Sequence, residues 1–344
     1  MTTRLAVVLS LAVAGAVSAR AQAPRTHRLP ATPETVAYGY YWSEAPPVLR
    51  IASGDVIDVD TLITNTPAGL TRAGVPDHEI QDSLKAIVTA FPGGHARRGP
   101  GGHILTGPVH VDGAMPGSVL QVDVLSIDLA IDYGYNGCAG YLRDNCDRPP
   151  PPATIFRFDR AAMTAEFSPG IVIPLRPFFG SMGVAPAPEL GRVSSNPPGR
   201  HAGNLDNREL TAGSTLYIPV FVPGALFQVG DGHAAQGDGE VNQTAIETSL
   251  RGRLRLTVRK DLTLTWPRAE TTTDYITMAT DPDLVVATKT AIQEMVDFLV
   301  ATKGLSRHQA YQLTSIAGHV AITQLVDLPN LGVHVKMGKH IFKK

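Results

Sequence analysis

The sequence predicts a mainly β protein, a sandwich or barrel of many short strands with two helices at its C-terminal end, α+β overall. Three observations carry this. Apolar and polar residues alternate with a period of two in short runs, as in Leu120, Val122 and Val124 against Gln121 and Asp123, the spacing of a strand with one buried face. Glycine (33) and proline (27) are abundant in the 344 residues and aromatics make up only 6%, so turns interrupt the runs often and keep them short. Clear helical periodicity is confined to the last quarter of the chain. The apolar fraction of 43% is enough for a full core. A net charge of −1 points away from nucleic acid or an anionic membrane surface as partner.

The first 23 residues read as a signal peptide. Arg4 supplies a positive start, residues 5–17 an apolar stretch too short to span a bilayer, and Ala19-Arg-Ala21 or Ala21-Gln-Ala23 a small-x-small cleavage site. Export to the periplasm or beyond follows, with no membrane contact after cleavage. Residues 24–46, rich in proline and threonine, are expected to lie extended on the surface, ahead of a single unit over 47–344.

Within that unit, strands are expected at 48–51 and 56–62 about a hairpin-type turn at Gly54-Asp55, then a short helix at 80–91. A strand at 120–124 leads to a loop over 133–153 that holds Cys138, Cys146 and four consecutive prolines. In an oxidising compartment a disulfide is the default for two cysteines eight apart, ahead of a metal-thiolate site or a nucleophile. Strands follow at 171–175, 178–184, 216–222, 226–229 and 241–250, and the alternation at 251–258 continues to 266. A helix opens at Asp281-Pro-Asp and closes at Gly304, with Val285, Ile292, Met295, Val296 and Leu299 on its inner face. Ser306 and Gln309 fit a capping box for a second helix to about 317, and strands at 320–326 and 333–335 close the chain.

The chemistry concentrates in Gly230-Asp-Gly-His-Ala-Ala-Gln-Gly-Asp-Gly-Glu240, read as a tight loop between strands. Turn chemistry alone does not require His233, Gln236 and Glu240 there. No nucleophile elbow is present, Gly180-Ser-Met-Gly183 being a partial echo, and there is no zincin pair, no Walker loop and no strand-to-helix dinucleotide loop. Acids and histidines recur at Asp58 and Asp60, at His103 and His110, at Asn204-Leu-Asp206, and from Asp231 to Glu247. Imidazole with carboxylate suits a divalent ion, zinc first, with calcium or another ion as alternatives. The candidate metal ligands are His103, Asp206, Asp231 and His233, with Asp60 and His110 weaker. Glu240 is the candidate general base, Glu247 a second catalytic carboxylate, and Asn204 and Gln236 candidate partners of a substrate amide. Each has a plainer alternative: a turn cap for the aspartates, a loop-stabilising histidine, a salt-bridged glutamate, an amide that satisfies loop backbone.

Several stretches together resemble the acetamidase/formamidase family: residues 197–206, Leu216-Tyr-Ile-Pro-Val220, the 230–240 run, Thr244-Ala-Ile-Glu247, Thr106-Gly-Pro108, Pro177-Phe178 with Gly183-Val-Ala-Pro186, and 306–324. The resemblance implies a metal-dependent hydrolase of small amides, on a largely β fold, often a homo-oligomer. Departures from the family pattern are Asn242 for a common cysteine, Ser118 for an aspartate, Ala202-Gly203 for two glycines, Ile63-Thr64 for an aspartate near Leu62, His319 for an acid, and the cysteine and proline segment as an insertion. Asn242 argues against a cysteine nucleophile and fits a metal–water mechanism. The expectation is an exported amidohydrolase that cleaves the linear C–N bond of a formamide- or acetamide-like substrate. The alternatives are a hydrolase of a larger amide or acyl compound, and a non-catalytic periplasmic β protein that binds a small ligand.

Overall fold

Strand Leu250–Arg259 shows why this sequence makes sheets: Leu250, Gly252, Leu254 and Leu256 are buried while Arg251, Arg253 and Arg255 face out. It sits third in a nine-stranded sheet ordered Thr26–Leu29, Val56–Asp60, Leu250–Arg259, Val119–Leu129, Thr215–Pro219, Arg268–Glu270, Asp274–Asp281, Leu331–Gly338 and Gly318–Gln324. The structure, a computed structural model, describes residues 23–148 and 152–343. The expected signal segment therefore falls, except for Ala23, outside the described residues.

An eleven-stranded sheet runs Ile171–Pro174, Thr164–Ser168, Thr154–Asp159, Tyr133–Asn136, Ile246–Thr248, Phe227–Ala235, Phe178–Gly183 and Ala202–Asn204, with Ile104–Val111 branching from Phe227–Ala235 and carrying Val36–Tyr38 and Leu49–Ile51. Ile57, Val122, Leu254 and Leu256 of the first sheet join Val109, Phe179, Met182, Phe227 and Val229 of the second in one apolar cluster, the arrangement of a sandwich core. Helix Leu284–Lys303 then covers the far end of the nine-stranded sheet through Met295 and Leu299 against Val333 and Val335. Its N-cap is Asp283, which accepts from the amides of Val285 and Val286, and Gly304 ends it at φ 65°. Ser306 and Gln309 form the expected capping box of helix Arg307–Ala317. Cys138 and Cys146 are disulfide-bonded.

Several expectations are corrected. Residues 24–46 are not laid over the surface: they supply three strands and bury Leu29, Val36, Tyr38 and Tyr41. The strands around Gly54-Asp55 form no hairpin, because Leu49–Ile51 pairs in parallel with Ile104–Val111 while Val56–Asp60 enters the other sheet. Residues 262–266 form no strand, and 241–245 are loop. Val285 is exposed; the buried stripe of its helix is Ala287, Ala291, Met295 and Leu299, one residue every four. The helix expected at 80–91 is Asp82–Ala90.

The N-terminal strand is tied down by one carboxylate. Asp55 accepts from the amide of Arg25 (2.9 Å) and from that of Ala52 (3.2 Å), and pairs with His27 Nε2 (2.7 Å). Burial pushes its carboxyl up, but these partners outweigh burial and hold it below the usual range. A depressed carboxylate stabilises the fold above its unfolded value, and that contribution fades as pH falls through the folded value. Asp55→Asn is expected to lower stability at pH 7 by about 1–3 kcal/mol, with the gap to wild type narrowing below about pH 4. Urea unfolding of both proteins across that range checks it; a gap that widens on acidification would contradict the assignment.

Candidate active site

The site is built on the strand Phe227–Ala235, whose first eight residues are all buried. The run expected as a loop from residue 230 is thus sheet interior, and the loop begins only at Gln236. The glycines serve close strand packing. A Cβ at Gly230 would lie 2.6 Å from the carbonyl oxygen of Ile104, and one at Gly232 would lie 2.7 Å from that of Thr248. On this strand Asp231 and His233 point to the same face. Asp231 adopts φ 54°, a left-handed conformation inside a strand.

Neighbouring strands bring the remaining groups. Glu247 lies directly across from His233 on Ile246–Thr248. Asp206 follows Ala202–Asn204, and its amide donates to the carbonyl of Gly180 (3.1 Å) on Phe178–Gly183. Glu240 closes in from the loop. Asp206, Asp231, His233, Glu240 and Glu247 are all buried. Two trios share the imidazole, Asp206–His233–Glu240 and Asp231–His233–Glu247, each with donor atoms within 4.8 Å of one another.

The hydrogen bonds select between them. His233 Nδ1 meets Gln236 Oε1 at 2.8 Å, while Gln236 Nε2 donates to the carbonyl of Asp206 at 2.7 Å. An amide oxygen only accepts, so Nδ1 carries hydrogen. The other ring nitrogen, Nε2, then faces Asp231 Oδ2 (3.2 Å) and Glu247 Oε1 (3.3 Å). Nε2 makes no hydrogen bond, and neither does Glu247 Oε2. A lone pair facing two carboxylates is repulsive unless a proton or a cation lies between them. Ligands about 2.0–2.2 Å from a tetrahedral ion stand roughly 3.4 Å apart, which is the spacing seen here. The Asp231–His233–Glu247 trio is therefore compatible with a divalent ion. A Cβ at Gly180 would lie 2.5 Å from Asp206 Oδ1, 2.7 Å from Asp231 Oδ2 and 2.8 Å from His233 Cε1. Glycine at 180 keeps the centre of the cluster open.

Charge follows the same geometry. Burial alone would lower the His233 imidazole, but Glu247 and Asp231 hold it well above its ordinary value. Burial likewise pushes Asp231 up, and His103, His233 and the Thr64 hydroxyl (2.8 Å) bring its carboxyl below the usual range. Glu247 is raised by burial against the pull of His233. Asp206 is raised well above the carboxylate range by burial, by Glu240 and by Asp327. Glu240 is raised by burial, with His233 pulling down and Asp327, Glu247 and Asp231 pushing up.

Of the expected site residues, Asp206, Asp231, His233, Glu240 and Glu247 thus converge. His103 stands at the margin, with Nε2 3.7 Å from Asp231 Oδ1 and Nδ1 3.0 Å from Ser195 Oγ. Asn204 and Gln236 are inside the cluster, but their amides hold protein groups: Asn204 Nδ2 donates to Asp206 Oδ2 (2.9 Å). Asp60 does not join; it pairs with Arg28 and Arg251. His110 lies 3.4 Å from Asp112 and packs on Gly224, away from the cluster. Ser181 of the partial elbow is bonded to Tyr41. The residues missed were Asp327, Gly180 and Thr64. Asp327 had a weak signal, an acid between a closing apolar strand and Leu328-Pro329. Thr64 occupies the Ile63-Thr64 departure and is backed by Tyr135, whose hydroxyl donates to its carbonyl (2.6 Å).

The sequence profile described as the Acetamidase/Formamidase family matches residues 100–196 and 192–344. The chain belongs to that family. It is 28% identical over 201 residues to the acetamidase of Mycolicibacterium smegmatis, a match covering 41% of this chain and 49% of that protein. It is 29% identical over 198 residues to the formamidase of Methylophilus methylotrophus, over 40% of this chain and 47% of that protein. The chain thus spans about half the length of the curated relatives it matches. The crystal structure of an acetamidase from Bacillus halodurans superposes with a TM-score of 0.76 at 28% identity, covering 92% of this chain and 98% of that one. Thr64 lies outside the stretch matched by the family profile, yet reaches its central carboxylate.

Gly180→Ala forces a methyl group among three fixed side chains and is expected to destabilise by about 1–3 kcal/mol. Denaturant unfolding checks it; a variant as stable as wild type would show that the centre of the cluster has slack.

Proposed function

We propose that this protein is an exported amidohydrolase that uses a divalent ion, zinc first, to cleave the linear C–N bond of an amide. Water and amide give a carboxylate and ammonia or an amine. The observation that carries this reading is the buried Nε2 of His233 facing Asp231 and Glu247, with Glu240 beside it. Asp231, His233 and Glu247 would hold the ion, with His103 at its margin. Bound there, such an ion would lower the pKa of water toward about 7 and polarise the amide carbonyl.

The chain's own groups do the remaining work. Gln236 fixes the tautomer of His233, and Thr64 and the amide of Ala245 orient Asp231 and Glu247, the latter through a 2.9 Å bond to Oε1. Such outer partners tune the groups they hold. The Phe178 ring meets His233 edge-on, centroids 5.1 Å apart, and keeps solvent off that side. Glu240, its carboxyl raised, takes the proton of the attacking water and delivers it to the leaving nitrogen. The raised carboxyl of Asp206 takes up a proton more readily than an ordinary one, which lessens the negative charge of the cluster. Export is supported by the small-x-small sites at residues 19–23 and by the Cys138–Cys146 disulfide, which suits an oxidising compartment.

Ammonia release from acetamide and formamide tests the activity. Glu240→Gln is expected to lower kcat by roughly 10²- to 10⁴-fold. Chelator treatment is expected to stop the reaction and added zinc to restore it. Metal-stripped protein at full rate would reject the ion, and Glu240→Gln at full rate would reject the base. Mass spectrometry of the mature protein should find a start after Ala21 or Ala23; a retained Met1 would reject export.

A further inference from the structure

The site opens onto a cavity of about 440 Å³, and Glu240 and Gln236 are on its wall. We infer that the amide hydrolysed here carries an apolar group of aryl or six-carbon size, seated in this cavity. The inference rests on the amidase reading above and narrows its substrate class.

The cavity is too large for a formamide or acetamide, which have three or four heavy atoms; pockets of 300–1,000 Å³ bury ligands several times larger. One side of its wall is apolar. Phe156 and Ile246 are 4% and 7% exposed, and Phe167 stacks on Phe156 with ring centroids 5.9 Å apart and planes 13° from parallel. Ile173 completes this side. Phe167 is the extra residue where the register of Thr164–Ser168 against Ile171–Pro174 shifts between Glu166 and Ser168. Bulges re-aim a side chain next to a site, and this one stacks the ring on Phe156.

The asparagines of the wall are already satisfied. Asn242 Nδ2 donates to Asn136 Oδ1 (2.9 Å), and Asn136 Nδ2 donates to the carbonyls of Thr244 (2.9 Å) and Ala245 (2.8 Å). Arg208 and Asp238 both border the cavity and cancel in formal charge. A hydrocarbon group meets no unpaired donor among the asparagines. The disulfide loop backs this wall, the amide of Tyr141 donating to the carbonyl of Val241 (2.8 Å). A substrate whose amide reaches Glu240 and whose hydrocarbon runs toward Phe167 satisfies both ends.

The test compares kcat/KM for acetamide, hexanamide, benzamide and the carboxylate-bearing succinamate, in wild type and in Phe167→Ala. Phe167 is 58% exposed, so its truncation leaves the core intact. Each buried methylene is worth about 0.8 kcal/mol, or roughly fourfold, so hexanamide should exceed acetamide at least about tenfold. Phe167→Ala should cut the hexanamide-to-acetamide ratio by roughly fivefold or more. Acetamide equal to or better than hexanamide and benzamide, or succinamate preferred to both, would overturn the inference and leave the amidase reading standing. If no amide is hydrolysed, the amidase reading fails, and equilibrium dialysis of hexanamide decides the cavity. Saturable binding weakened by Phe167→Ala supports an apolar ligand there; no binding overturns it.

Discussion

Five carboxyl groups, Asp206, Asp231, Glu240, Glu247 and Asp327, are buried around one fully buried imidazole, and this excess of negative charge is the constraint on which the rest of the structure depends. Buried charge is tolerated only when it is paired, protonated or bound to a metal. The fold uses the first two directly. Burial and the neighbouring acids Glu240 and Asp327 raise Asp206 toward its protonated form. Asp231 is ionised against His103 and His233. The Asp231–His233–Glu247 trio is compatible with a divalent ion. Burial pushes Asp206, Glu240, Glu247 and Asp327 upward together, toward their protonated forms.

Such an arrangement persists only if the scaffold imposes it. Asp206, Asp231 and Glu240 adopt φ of 47°, 54° and 43°, a region that costs an ordinary residue about 1–2 kcal/mol. Each is fixed by sheet backbone: Asp206 through Gly180, Asp231 by strands on both sides, and Glu240 because Gly239 donates to Thr323 (3.0 Å) and Gln243 donates back to Glu240 (2.9 Å). Strain at a cluster of acids that would otherwise spread apart is the expected signature of a functional centre. The sandwich behind it supplies the rigidity, and the nine-stranded sheet contributes core and helices but no side chain to the Asp231–His233–Glu247 trio.

Much of this was legible in the sequence. The alternation of Leu250–Arg259 gave its strand and its buried face, and Asp283, Gly304, Ser306 and Gln309 gave both helix ends. The density of acid, histidine and glycine at 230–247 located the centre. What failed was the role of glycine. Gly230 and Gly232 looked like turn residues, but they admit a neighbouring strand at contact distance, and only the third dimension tells these apart. Asp327 and Thr64 were missed because each is an isolated residue joined to the centre across more than 90 positions of chain. Asn204 and Gln236 were read as facing the substrate, whereas the hydrogen bonds turn their amides inward, because backbone and carboxylate acceptors of Asp206 lie nearer. The N-terminal segment misled through composition: its prolines and threonines suggested a surface tail, while Asp55 and three short strands draw it into the sheets.

The most direct measurement is the metal content per chain of the purified protein after exhaustive dialysis, in wild type and in Asp231→Asn. The account predicts at least one divalent ion per wild-type chain and its loss in the variant. A wild-type protein that binds no divalent ion even after incubation with zinc, and still folds with Asp231 ionised against His233, would contradict it.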